Sequence, residues 1–224
     1  MTNTLHRFGN AQSFKDDFIV FAIPTKVKED PEALPKLRRF FELALEYKPV
    51  NMGETRHGGA IRSSKKLGPL AHWNRSNAPD FQAVIRSLDK PATCAVVFDN
   101  LDAAEKFVKR IKEEDFGLSV NISTSIRGAE TCCKFADICR HSVGYSLGFE
   151  GKTERIPDAE VASLSTMCGH GMISHSLAKK MIGFVKENRR SPENAAAVLS
   201  RFCSCGIFNP SRAKRLLEDA RSGR

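Results

Sequence analysis

Cys168, His170 and His175 fall within eight positions of the stretch STMCGHGMISHSLAKKM, and Cys203-x-Cys205 follows in RFCSCGIFNP. An adjacent pair, Cys132-Cys133, precedes both. Thiolates and imidazoles are soft donors that select zinc or iron–sulfur clusters over hard, oxygen-seeking cations. Ligands of this kind come from turns, where thiolates converge while the flanking helices hold them still, and a neighbouring glycine lets backbone approach a bulky centre. Cys132, Cys133, Cys168, Cys203 and Cys205 are therefore the candidate metal ligands, with His170 or His175 as a nitrogen donor. Paired C-x2-C knuckles, the usual mark of a zinc module, are lacking. Dispersed ligation of this sort suits an iron–sulfur cluster with a redox or cofactor-dependent role, and zinc is the alternative. A metal-free thiol enzyme is a further alternative: Cys168 lies before a predicted helix start, whose partial positive charge together with protonated His170 would lower its pKa and make it a nucleophile.

One set of gaps is similar in outline to the CCG family of heterodisulfide-reductase-like subunits. Those proteins hold noncubane iron–sulfur clusters through a cysteine, a long gap, a Cys-Cys pair, a second long gap and a terminal C-x-x-C. Here Cys94 is followed by 37 residues, Cys132-Cys133, 34 residues and Cys168. Lys134 stands where the family motif has glycine, and Gly171 stands where it has its last cysteine. The resemblance covers residues 94–171 and implies cluster binding through those thiols.

The net charge of +9 is concentrated in two segments. Residues 51–90 carry seven Lys/Arg against three Asp/Glu, and residues 179–224 carry eleven against four. Such excess attracts an anionic ligand, an acidic redox partner or nucleic acid. The turn STSIRGAE offers Arg127 and Gly128 at a predicted helix start, where free backbone N–H groups bind anions. The basic run 56–66 could clamp a phosphate, and Trp73 beside His72 and Arg75 could stack on a base. A helix, the CGHG turn and a second helix outline a helix-turn-helix, zinc-stabilised in one version. The second helix lacks the Arg, Asn and Gln expected for base readout, so nucleic acid is not the favoured partner.

These residues need a scaffold, and 224 residues are enough to bury a substantial core. FIVFAIP (18–24) and ATCAVVFD (92–99) read as buried strands, and LSVNISTSI (118–126) alternates as a strand does. Residues 31–49 and 100–117 have helical spacing, the second with Asn100 as cap and Gly117 as stop. Strand, helix and strand over 92–126 form a βαβ-like unit, normally parallel. Residues 50–79 read as a polar, irregular segment. From about 127 onward the pattern is helical, with Asp158, Ser191-Pro192 and Asn209-Pro210 as helix starts. The predicted fold class is thus α/β: an N-terminal α/β domain over 1–126 and a Cys-rich helical domain over 127–224. No apolar run reaches the roughly 20 residues of a membrane span. The first residues lack the basic-then-apolar order of a secretory signal, so a cytoplasmic protein with reduced thiols is expected.

Overall fold

A computed structural model of the chain describes residues 7–24, 30–61, 79–145 and 148–223. Its architecture is mixed α/β. Strands β1 (Phe18–Ile23), β2 (Asn51–Glu54), β3 (Gly58–Gly59), β4 (Cys94–Phe98) and β5 (Ser119–Ser123) form one sheet in the order β3-β2-β4-β1-β5. Every neighbouring pair is antiparallel. Helices α1 (Ala33–Glu46), α2 (Phe81–Ser87) and α3 (Leu101–Glu114) are interleaved with the strands. Helices α4 (Ile126–Phe135), α5 (Ala159–Ser165), α6 (His175–Lys186), α7 (Pro192–Ser200) and α8 (Pro210–Ser222) follow them.

The expected βαβ-like unit is present in a split form. β4 and β5 both run antiparallel to β1, so they are parallel to each other, but β1 lies between them. Apolarity accounts for the order. β1, FIVFAI, is apolar on both faces and takes a central position, whereas the alternating β5 remains half-exposed at the edge. β1–α1–β2 is split in the same way by β4, giving two interleaved crossovers.

Strand alternation divides the buried side chains into two layers. Phe18, Val20, Ala22, Met52, Cys94, Val96 and Phe98 face α1 and α3, where Phe107 packs its ring 5.1 Å from Phe98 and 5.3 Å from Phe40. Ile19, Phe21, Ala95 and Val97 face the other way, into a core completed by apolar residues of α5 to α8. The helical half is thus a third layer, laid on the open face of the sheet. A buried ionic clamp ties the layers together. Asp17, immediately before β1, takes Arg7 Nη1 at 2.6 Å and Arg212 Nη1 of α8 at 2.9 Å, and Asn209 donates to its other oxygen at 3.0 Å.

Local signals place most of the helix starts. Asn100, Ser125, Ser174, Ser191 and Asn209 each accept a backbone N–H from the first turn of α3, α4, α6, α7 and α8 respectively. Asp158 precedes α5 but makes no such bond. α3 stops at Asp115, left-handed at φ 46°, two residues before the glycine expected to end it. The segment 50–79 is less irregular than its composition suggests, because it supplies β2 and β3; residues 62–78, which include much of the basic run and Trp73, lie outside the described residues. No helix among the described residues is long and apolar enough to cross a membrane.

Candidate functional site

Two turns of the helical layer meet above the β2–β3 hairpin. The first leaves α5 through a short 3-10 turn, Thr166–Cys168, and runs to the cap of α6 at Ser174. Gly169 and Gly171, at φ 70° and 66°, bracket His170 in left-handed backbone that a side chain would strain. The second joins α7 to α8 and carries Cys203, Cys205 and Gly206. It lies backbone-on-backbone against the hairpin. A Cβ on Gly53 would strike the Cys205 carbonyl, one on Gly59 would strike Gly206, and one on Gly206 would strike the Met52 carbonyl. Gly206→Ala is therefore expected to cost about 1–3 kcal/mol through backbone displacement alone, read as a lowered denaturation midpoint.

Three thiols and one imidazole gather between these turns. Cys203 Sγ lies 3.8 Å from Cys205 Sγ, and Cys205 Sγ lies 3.4 Å from His170 Nδ1. Cys168 interacts with the Cys203 side chain. All three cysteines are buried, whereas His170 reaches solvent. The backbone of His170 and Met172 near Cys168, of Phe208 near Cys203 and of Ile207 near Cys205 favours the thiolate form of each sulfur. This arrangement grades the thiols. The bond given to Cys203, and then burial, raise Cys168 far above the ordinary thiol range. The bond from Cys168 lowers Cys203, but its own bond to Cys205 and its burial prevail and push it up to about 12. The bond from Cys203 holds Cys205 below the usual value in spite of burial. Cys205 is the thiol of this set held below its ordinary range, and it sits beside the imidazole.

Cys168 is consequently not placed as the nucleophile that its position before a helix suggests. Helix α6 starts only at His175, and the Cys168 thiol is a buried donor. His170 pairs with Cys205, not with Cys168. The shared spacing of Cys168-x-His170 and Cys203-x-Cys205 is the signal in the sequence that these are two matching hooks.

Cys132 and Cys133 are not brought to this site. Cys132 belongs to the core on the opposite face of the sheet, where burial raises its thiol to about 12. Cys133, its neighbour on α4, is half-buried with a raised pKa from burial, within reach of the Arg140 charge. The sheet also separates Cys94 from Cys168, so the thiols that resemble the heterodisulfide-reductase pattern do not converge. Arg127 is exposed at the start of α4, but the Gly128 N–H is already taken by Ser125 Oγ at 3.0 Å and does not face an anion. His175 is exposed at the head of α6 and lines an open cavity of about 370 Å³ with Phe149, Thr166 and Ser174.

Elsewhere on the hairpin, the fully buried Glu54 accepts the backbone N–H groups of Arg56, His57 and Gly58 and lies 3.0 Å from His57 Nδ1. Its first task is to close the turn between β2 and β3. Among the described residues no group of three or more His, Cys, Asp and Glu side chains is arranged to hold a metal ion as it stands. The site is a run of pairwise contacts, Cys168 to Cys203 to Cys205 to His170. The chain matches no protein-family model, no curated protein and no solved structure.

Proposed function

We propose that the protein binds one soft metal ion, zinc in preference to an iron–sulfur cluster, through Cys168, His170, Cys203 and Cys205, and that the ion fastens the helical layer to the sheet. The observation that carries this is the pair of spacings, 3.8 Å between two sulfurs and 3.4 Å between sulfur and nitrogen. With zinc bonds of about 2.3 Å to sulfur and 2.0 Å to nitrogen, a tetrahedron has edges of about 3.8 and 3.5 Å. In a [4Fe–4S] cluster each thiolate binds its own iron and the sulfurs spread around it, which these spacings oppose; a [2Fe–2S] cluster would need a second pair of donors beyond Cys203 and Cys205. The neighbouring backbone lowers the cost of ionising each sulfur, which favours thiolates as ligands. Binding requires the two ends of the run, Cys168 and His170, to close on the ion, and the glycines beside His170 give that turn the freedom to do so. Four protein donors fill the coordination sphere, which makes the role structural and not catalytic.

Elemental analysis of protein purified in reductant without chelator tests the proposal. About one zinc per chain is expected, lost in Cys205→Ser and kept in Cys139→Ser, whose thiol is exposed and remote in sequence from both turns. Iron with sulfide would replace zinc by a cluster. Absence of any metal would leave the depressed Cys205 beside His170 as a thiol site, recognisable by rapid alkylation of that one cysteine at neutral pH.

A further inference from the structure

We infer that the outer face of α6 docks in the major groove of duplex DNA and holds it by its phosphates, without regard to sequence. At about 3.6 residues per turn, the buried Ala178, Met181, Ile182 and Val185 make one stripe of this helix, laid on the core. The opposite stripe has Ser176 and Gly183 along its middle and cations along both sides. Lys179 and Lys186 stand on one side. Lys180 stands on the other and is joined by Arg189, because both cations lie against the Phe184 ring, 5.5 and 4.3 Å from its centroid. All four cations are exposed, and the helix itself contains no Asp or Glu. Lys179 and Lys180 have no ion pair among the described residues. Lys186 and Arg189 meet only the exposed Glu160 and Glu187, in surface pairs that are worth little in water.

Charge and shape name the partner together. Duplex DNA presents phosphates on each side of a major groove about 12 Å wide, and a helix with its side chains is about 10–12 Å across. Two cationic sides separated by small residues therefore meet one strand each, while Ser176 and Gly183 let the helix sit low between them. A Cβ on Gly183 would meet nothing within 4 Å, so the space above it is open. The stripe offers no Arg, Asn or Gln along its middle to a base edge, which makes the contact one of phosphates. α6 packs against α5, α7 and α8, so three neighbours present it to the partner. The net charge of +9 draws a polyanion toward the protein from a distance.

Fluorescence anisotropy of a labelled DNA duplex, titrated with the full chain purified in reductant without chelator, tests this. Two unrelated sequences should bind equally, with a slope of log affinity on log salt of about −3 to −4, the value for roughly four neutralised phosphates. Lys179→Ala with Lys180→Ala should weaken binding roughly 10- to 100-fold at about 0.1 M salt and flatten the slope by about 2. Lys106→Ala with Lys109→Ala removes the same charge from exposed positions of α3, on the opposite face of the sheet, and should leave both nearly unchanged. Gly183→Leu, uncrowded in the free protein, should weaken binding several-fold at an unchanged slope. A dissociation constant above about 100 μM at low salt would overturn the inference. So would an equal loss in the α3 variant, which would mark the attraction as one of net charge alone, or indifference to Gly183→Leu. RNA duplex bound as tightly as DNA would also overturn it, because the A-form major groove does not admit a helix.

Discussion

Cys205→Ser is expected to lose the metal and with it most of the order of the helical layer. Structural zinc contributes apparent binding free energies of about 10–16 kcal/mol at neutral pH, and a domain's whole stability is about 5–15 kcal/mol. Even a fraction of the first figure approaches the second. The loss should be local before it is global. The turn 168–172 and the loop 203–208 would be held to each other by the proposed ligands, whereas the face of the sheet covered by α1 and α3 has its own core around Phe40, Phe98 and Phe107. Hydrogen exchange should therefore accelerate first in α6 to α8. Adding a strong chelator to the wild type should reproduce the effect, and Cys139→Ser should show none. Unchanged exchange in α6 to α8 after demonstrated removal of the ion would show that the metal does not fasten this layer.

Asp17→Ala has the second large effect. Its carboxylate is wholly buried between the guanidiniums of Arg7 and Arg212, themselves 2% and 0% exposed on the side chain. Arg212 is under strain from burial, which lowers its pKa to about 10 even with Asp17 opposing that shift. Removing the carboxylate that bridges them leaves two like charges facing each other out of water. Breaking a buried pair in this way costs about 3–5 kcal/mol. Arg212 also donates to the Phe8 carbonyl and to Ser13 Oγ, and its guanidinium stacks 4.0 Å above the Phe14 ring, so its loss would release residues 8–14 as well. Urea unfolding should report the drop as a lower midpoint. A change below about 1 kcal/mol, the scale of an exposed pair, would mean that water reaches the cluster.

Much of the scaffold was legible because it is written locally. The runs FIVFAI and CAVVF, the caps Asn100, Ser191 and Asn209, and the apolar stripe of α3 each sit within a few residues of the feature they determine. β2 was not legible: NMGE is four residues long, and its burial comes from β4 and from the Cys205 loop, both distant in the chain. For the same reason the intervening position of β1 between β4 and β5 could not be read from the β4–α3–β5 segment alone. The thiol site was partly legible. Cys168 and Cys205 were recognisable as cysteines off the helical stripes, with Cys203 beside Cys205 at an element end, and the three do meet. Cys132-Cys133 looked similar, but α4 packs on α3 and carries Cys132 into the other core. A long-range fact of that kind, which side of a sheet a helix returns to, leaves no trace in spacing. Nor does the Arg7–Asp17–Arg212 cluster, whose members are scattered over two hundred positions.

The underside of the sheet has a consequence for how the chain can be divided. Ile19, Phe21, Ala95 and Val97 are the floor on which α5 to α8 rest, so the boundary near residue 127 separates two compositions but not two independent bodies. A fragment beginning there would expose an oily wall with nothing to meet it, and the complementary fragment would bare four such side chains to water. Neither piece is expected to persist alone, whereas mixing the two should regenerate a heterodimer of the nicked protein.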